Sequence, residues 1–380
     1  MYEKSIIENR LLKLYNHRSM PVTVRSFAKV NLGLRIGAPR ADGFHELLTV
    51  YQTIGLHDVT QVTVARGSGI EIRCADPRVP RDESNTCFRI VEKAMQALGT
   101  KGRIVIELDK RLPVQGGMAG ASSNAVAVLL GLERALKKSL PVAEKLRIAA
   151  EVGSDLPLFL VGGTVLGIGR GEQVYPLRDL PATACVLVTP GVGVSTPQAF
   201  AAWDQLSGAG GFARETASQL STAGRPQEPS GLRPAGQPRA AVATQSPNTS
   251  LAKLTLSLPS DRMNGLSRTL SAWLSEPYSG APFGRGRAEN PLLALVRAGI
   301  KNDFEEVVFP EYPELGEAKR ALERAGAKYA SLSGSGSTLY GLFASRQAAV
   351  KAAGGLRKQG WTAQVTVTLT RRQYWKQVIG

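Results

Sequence analysis

Three stretches of this chain carry residues whose types and spacing suit chemistry. The densest is Leu112–Ala125, LPVQGGMAGASSNA, where Gly116, Gly117 and Gly120 alternate with small residues and Ser122, Ser123 and Asn124 follow. Glycines let a backbone approach a ligand closely and adopt positive φ. Arg103–Leu108 before the loop alternates apolar and polar, and the run Ala125–Leu130 after it is apolar. The order therefore reads strand, basic turn, glycine loop, helix. Such an order aims unpaired N–H groups and the positive end of a helix at one place, which suits a phosphate. Ser122 and Ser123 add hydroxyls for phosphate oxygens or a magnesium ion. The loop is neither a Walker loop, which needs GxxxxGK before Ser or Thr, nor the dinucleotide fingerprint GxGxxG. Its bland alternative is a turn that lets a helix pack close to a sheet.

The second stretch is Ala28-Lys29-Val30-Asn31-Leu32, in which Lys29 and Asn31 project from the same side of an extended chain. Taken alone, a lysine among apolar neighbours is more often a solvent-facing strand residue. The third is Gly153–Phe159, GSDLPLF, with Asp155 between a helix stop and Pro157. Taken alone, that aspartate reads as a cap or turn residue. A further small-residue loop, Ser333–Thr338 (SGSGST), lies between two apolar runs.

Positioning these residues needs a framework of alternating strands and helices. Strand patterns cover Val22–Ala28 and its continuation to Leu34, then Leu47–Leu56, Asp58–Val64 and Gly69–Cys74, with a turn at Pro39–Glu46 whose tip is Asp42-Gly43. Helical spacing covers Asn85–Leu98, ended by Gly99, and a helix opened by Pro141 runs through Val152. Thr164–Gly171 with Glu172–Pro176 reads as a hairpin, Ala184–Pro190 as a buried strand, and Thr196-Pro197 opens a helix ending near Trp203. Helices over Lys301–Val308, Glu314–Gly326 and Arg346–Gln359 alternate with strands over Tyr329–Leu332, Leu339–Phe343 and Thr362–Leu369, which suggests an α+β sandwich. Ser207–Ser250 has no Ile, Met, Tyr, Trp or Cys and is dense in Gly, Pro, Ser and Gln. It cannot bury enough apolar area to offset its ordering entropy, so it reads as a disordered insert. Leu251–Leu258 and Leu266–Leu274 read as partly helical, and order is expected again around Asn290–Ala298.

The chain has 380 residues, 43% of them hydrophobic, enough for two domains. Its net charge of +16 favours a polyanionic partner, but the positive residues are spread rather than gathered into an arginine-rich arm. Three scattered cysteines suit a reducing cytoplasm, and three dispersed histidines suggest no zinc site. No apolar run is long enough for a transmembrane helix. The first 20 residues lack a signal peptide's apolar centre. They read as a short extension, or as an over-long start with Met20 the true first residue.

Seven motifs in fixed order, AKVNLGL, RADGFHEL, LDKRLP, GSDLPLF, PGVGVSTPQAF, NDFEEVVFP and SGSGST, together with the PVQGGMAGASSNA loop, resemble the GHMP kinase superfamily. The resemblance spans roughly Val22–Phe200 and Asn290–Thr370, and it points to the branch acting on 4-diphosphocytidyl-2-C-methyl-D-erythritol. It implies a two-domain α+β fold, with an N-terminal domain like the second domain of ribosomal protein S5 and a ferredoxin-like C-terminal domain. The expected boundaries are 21–180 for the first, 181–206 with 286–380 for the second, and 207–285 for a low-complexity insert. It implies ATP as phosphate donor, Mg²⁺, a small-molecule acceptor, no nucleic acid, no membrane, and a cytoplasmic monomer or homodimer.

Residue by residue, the resemblance makes Asp155 the base that takes the proton from the substrate hydroxyl and Lys29 the cation beside it. Pro113, Val114, Gln115, Gly116, Gly117, Met118, Ala119, Gly120, Ala121, Ser122 and Ser123 match the triphosphate loop. Asn85, Lys110 and Leu112 match positions near the adenosine, and Ser122 or Ser123 is the expected metal contact. Asn31, Phe44, His45, Tyr51, Thr196 and Phe200 match the cytidine diphosphate pocket, where Phe44 and Phe200 would sandwich the base and His45 would bond its edge. Gly334, Ser335 and Gly336 match the segment that closes the site. Phe44 departs from the tyrosine often found there, which removes a hydroxyl and keeps the ring. Gln115 and Met118 also depart from the usual loop residues without touching its glycines. Two other readings stand beside this one: a different small-molecule GHMP kinase, for homoserine or phosphomevalonate, and a basic nucleic-acid-binding protein.

Overall fold

Nearly every residue of Ser26–Leu34 is apolar or small, a pattern that calls for a strand covered on both faces. The computed structural model, which describes residues 20–114, 116–207 and 300–379, covers it in that way. Val22–Pro39 (β1) pairs antiparallel with His45–Ala65 (β2). β2 is one continuous strand of 21 residues where two were expected. Register shifts in β1 at Phe27/Lys29 and Asn31/Gly33 let the ladder bend without breaking, so His57 still pairs with Phe27.

Gly69–Cys74 (β3), Thr86–Ala97 (α1) and Arg103–Asp109 (β4) form a crossover unit, and β3 and β4 are parallel. The glycine loop leads into Gly120–Leu136 (α2), followed by Val142–Val152 (α3) and the single turn Leu156–Phe159 (α4). Thr164–Gly169 (β5) and Gln173–Pro176 (β6) complete a six-stranded sheet ordered β3-β4-β2-β5-β6, with β1 on β2. Helices α1, α2 and α3 pack on one face of it around Ile90, Val128, Leu129 and Ile148.

Ala184–Val188 (β7) leaves that sheet and joins a second one. Thr196–Ser207 (α5), Glu305–Glu311 (α6) and Pro313–Arg324 (α7) precede Tyr329–Leu332 (β8) and Leu339–Phe343 (β9). Arg346–Lys358 (α8) and Ala363–Val367 (β10) complete a four-stranded sheet ordered β10-β7-β9-β8. The helix expected from Lys301 starts only at Glu305, because Asn302 bridges to Leu34 and Asp303 N–H bonds the Leu34 carbonyl. Arg371–Val378 (α9) was not expected from the sequence, although Thr370 and Gln373 form a capping box at its start.

A third core cluster joins the two sheets: Val30, Leu32, Leu48 and Val50 meet Cys185, Leu187, Tyr340 and Leu342. Val30 and Leu32 face that cluster, while Lys29 projects from the other side of β1 against the Gly117 carbonyl and Asp155, where it is 3% exposed rather than solvent-facing. Among the described residues no helix is long and apolar enough to cross a membrane. The expected N-terminal extension, the low-complexity insert with its partial helices, and Asn290–Ala298 lie outside the described residues.

Candidate active site

Lys29 stands in the middle of β1, and its ammonium has three oxygen neighbours. Nζ donates to Asn31 Oδ1 at 2.7 Å and to the Gly117 carbonyl at 2.9 Å, and it lies 3.6 Å from Asp155 Oδ2. Asp155 is the residue before α4, and its carboxylate makes no cap bond there. Instead Oδ1 accepts from the Tyr51 hydroxyl at 3.0 Å. Burial lowers the Lys29 pKa from the ordinary lysine value, and the nearby Asp155 charge pulls it back up in part. Burial, and then the Asp155 charge, raise the Tyr51 phenol well above its ordinary range, so it stays a donor. Tyr51 fits because Gly167 and Gly171 face it: a Cβ there would sit 2.4 Å and 2.3 Å from its ring and hydroxyl. Asn31 holds Lys29 with its oxygen and donates to Thr49 Oγ1 at 2.8 Å.

The glycine loop is fixed from below by Asp58, a fully buried carboxylate in mid-β2. It accepts from the N–H groups of Arg111 and Leu112, both at 2.7 Å, from Asn124 Nδ2 at 3.0 Å and from Lys110 Nζ. Lys110 also donates to Asn124 Oδ1 at 3.1 Å, so this lysine ties strand β4 to helix α2. From above, the loop meets Ser333–Thr338. Ser333 Oγ donates to the Gly117 carbonyl at 3.0 Å, and Thr338 N–H reaches the Gly116 carbonyl at 3.3 Å. Asn302 in turn holds the carbonyls of Leu332 and Gly334 at 2.9 and 2.7 Å. At the mouth of α2, Ala119 takes a left-handed conformation and no side chain caps the first turn. Ala119, Gly120 and Ala121 line the cavity, and the uncapped first turn of a helix is a place that suits an anion.

The far end of the site is aromatic. His45, the first residue of β2, stacks on Phe200 with ring centres 4.9 Å apart and 13° between planes. Phe304 braces Phe200 edge-on, also at 4.9 Å. His45 Nε2 is 2.7 Å from Asp204 Oδ1. Phe44 is 49% exposed, and Arg170 lies 4.8 Å from its ring centre. With planes nearly parallel and centres 4.9 Å apart, the His45 and Phe200 rings are offset, so His45 covers only part of that face of Phe200. Thr196 at the start of α5 and Ser335 in the loop between β8 and β9 meet at this end, their hydroxyls 2.7 Å apart.

One cavity of about 580 Å³ connects the three regions. A binding loop at one end, a Lys–Asp pair in the middle and an aromatic end are the arrangement that transfer between two bound molecules requires. The chain matches the family models for the GHMP kinase N-terminal domain over residues 85–163 and the GHMP kinase C-terminal domain over 288–360. A 4-diphosphocytidyl-2-C-methyl-D-erythritol kinase of Solibacter usitatus is 34% identical over 329 residues, covering 87% of this chain and 83% of that one. The chain belongs to the 4-diphosphocytidyl-2-C-methyl-D-erythritol kinase family. A relative of the same name from Acaryochloris marina is 33% identical over 86% of this chain and 88% of its own. A solved structure of 4-(cytidine 5'-diphospho)-2C-methyl-D-erythritol kinase superposes with a TM-score of 0.60 at 25% identity, over 91% of this chain and 98% of that one. A homoserine kinase of Cytophaga hutchinsonii, at 20% identity and TM-score 0.59, shares the fold.

In this member of the 4-diphosphocytidyl-2-C-methyl-D-erythritol kinase family, most of the residues expected at the site line the cavity. They are Lys29, Asn31, Phe44, His45, Tyr51, Asn85, Lys110, Pro113, Val114, Gly116 to Ala121, Asp155, Thr196, Phe200, Gly334 and Ser335. Leu112 is buried beneath the loop, and Gly336 packs on Leu332 and Val194. Gln115 lies outside the described residues. Asn85 caps α1 through Cys87 N–H at 2.8 Å. Tyr51, expected in the cytidine diphosphate pocket, lines the cavity and donates to Asp155. Four further positions carry contacts to which the sequence assigned no role. Asp58 and Asn302 brace the two loops, Asp204 holds His45, and Arg170 covers Phe44. Asp204 escaped because its helix was expected to stop near Trp203, whereas α5 runs to Ser207.

Neither Ser122 nor Ser123 lines the cavity, and Ser123 is 2% exposed. Among the described residues no three His, Cys, Asp or Glu side chains gather to hold a metal, and Asp155 is the one carboxylate lining the cavity. This donor set does not build a protein cage for a cation. It fits a Mg²⁺ held chiefly by nucleotide phosphates and water.

Proposed function

We propose that this chain transfers the γ-phosphate of ATP to the 2-hydroxyl of 4-diphosphocytidyl-2-C-methyl-D-erythritol, giving the 2-phosphate and ADP in the non-mevalonate isoprenoid route. The observation that carries this reading is the Lys29–Asp155 pair, 3.6 Å apart, set between the glycine loop and the aromatic end. In the reaction, the substrate O–H bond breaks and its proton passes to Asp155. The freed oxygen forms a bond to the γ-phosphorus while the bond to the β-phosphate oxygen breaks. Lys29, held by Asn31 and Gly117, balances negative charge on the attacking oxygen. The loop N–H groups and the α2 end hold the phosphates, and positioning with charge neutralisation supplies most of the acceleration. Mg²⁺, carried in with ATP, would add charge neutralisation at the phosphates. Phe44, half exposed with Arg170 over its ring, offers its remaining surface to the cytosine, and base–aromatic stacking is worth about 1–3 kcal/mol.

Buried, unpaired Cys74, Cys87 and Cys185 accord with a cytoplasmic setting. The test is ADP release coupled to a dye, with the cytidylated methylerythritol, homoserine and phosphomevalonate compared as acceptors. Turnover on the first alone is expected. Faster turnover on either of the others overturns the substrate assignment.

A further inference from the structure

Thr196, Phe200 and Asp204 are spaced four residues apart on α5, so one helical face delivers all three. Phe200 and Asp204 meet the same imidazole: the ring of His45 lies on Phe200, and its Nε2 is 2.7 Å from Asp204 Oδ1. An ionised carboxylate only accepts hydrogen bonds, so this contact requires the proton on Nε2. In a neutral imidazole the other nitrogen, Nδ1, is then a bare acceptor. Nδ1 has no hydrogen-bond partner among the described residues, and it is not sealed from the cavity that His45 lines. Phe304, edge-on to Phe200, keeps the stack from tilting.

We infer that Asp204 is a positioning residue that sets the His45 tautomer and so makes this cavity prefer a pyrimidine with an exocyclic amine to one with a carbonyl in its place. The inference rests on the cytidine reading above and adds what enforces it. An amine donates to the bare Nδ1. A carbonyl oxygen there brings two acceptors together, leaving both unpaired. A site built around a polar contact rejects the analogue that lacks it more strongly than an apolar pocket could.

The test uses the full chain with CDP and UDP as probes, at a pH of about 8, above the ordinary imidazole pKa of about 6.5. Isothermal titration on the wild type should give CDP binding at least about tenfold tighter than UDP. In Asp204→Ala and Asp204→Asn the ratio should fall to within about threefold, while ATP affinity and thermal midpoint hold and so exclude general unfolding. Nitrogen-15 correlation spectra of His45 should show the Nε2–H tautomer in the wild type and a mixture in Asp204→Ala. An Nδ1–H or doubly protonated ring in the wild type overturns the inference, as does a CDP preference that survives Asp204→Ala or binding of neither diphosphate. Failure of the functional reading looks different: CDP binds selectively, yet the cytidylated methylerythritol is not phosphorylated.

Discussion

Tyr51 donates its hydroxyl hydrogen to Oδ1 of Asp155 at 3.0 Å, while the Lys29 ammonium faces Oδ2 of the same carboxylate at 3.6 Å. The carboxylate is thereby held from two sides by groups on adjacent strands β1 and β2. Tyr51→Phe keeps the ring and removes the donor. Hydrogen bonds to charged groups are worth about 1.5–3 kcal/mol, so kcat should fall roughly ten- to hundredfold, with the KM for ATP unchanged. Steady-state kinetics decide it: an unchanged kcat means that Lys29 alone orients the base.

Asp155→Asn removes proton acceptance with little change in shape. Loss of a positioned base costs about 10²–10⁴-fold, and kcat should drop by that amount in the coupled assay. Thermal melting should stay close to wild type, because the carboxylate makes no cap bond to α4.

The pH profile should carry the mark of Lys29. Its folded pKa is lowered by burial, so its proton leaves at a lower pH than that of an ordinary lysine. Activity that needs the ammonium is therefore present below that lowered value and is lost as pH rises through it. Tyr51, shifted upward, does not ionise in this window. An alkaline limb of kcat below the ordinary lysine range of about 10.4 is expected. Lys29→Arg, with a guanidinium that stays protonated, should lower the rate and abolish that limb. A limb at the same pH in Lys29→Arg assigns it to another group.

Gly117 adopts φ +72°, and a Cβ there would lie 2.2 Å from the Ser333 carbonyl oxygen and 2.6 Å from that of Gly336. Gly117→Ala must push the two loops apart. Overpacking of this kind costs about 1–3 kcal/mol, to be seen as a lower denaturation midpoint together with a raised KM for ATP. A variant with wild-type values for both would mean that the loops separate freely.

Asp58→Ala should be among the most damaging single changes outside the cavity. It strips Lys110 of its buried partner and leaves the Arg111 and Leu112 N–H groups unbonded. Breaking a buried pair costs about 3–5 kcal/mol, readable from urea denaturation. A loss below about 1 kcal/mol would place this network among ordinary surface pairs.

Local pattern was enough for the glycine loop, the helix behind it and the order of strands. Period and turn chemistry act over a few residues, and Gly116, Gly117 and Gly120 announce a close backbone approach wherever they stand. The chain also carried the family resemblance, because its motifs keep their order along the sequence. The roles of single polar residues were not local. Lys29 looked solvent-facing and Asp155 looked like a cap, since each meets the other only when β1 and the turn before α4 are brought together by the sheet. Asp58 and Asp204 gave no signal, and Asn302 stood in the NDFEEVVFP motif without a role, because their partners lie 54, 159 and 32 residues away along the chain. A residue's type and neighbours determine what it can bond. The burial of β1 between two sheets and the meeting of two loops decide what it does bond, since an unpaired charge or N–H in that interior is too costly to leave.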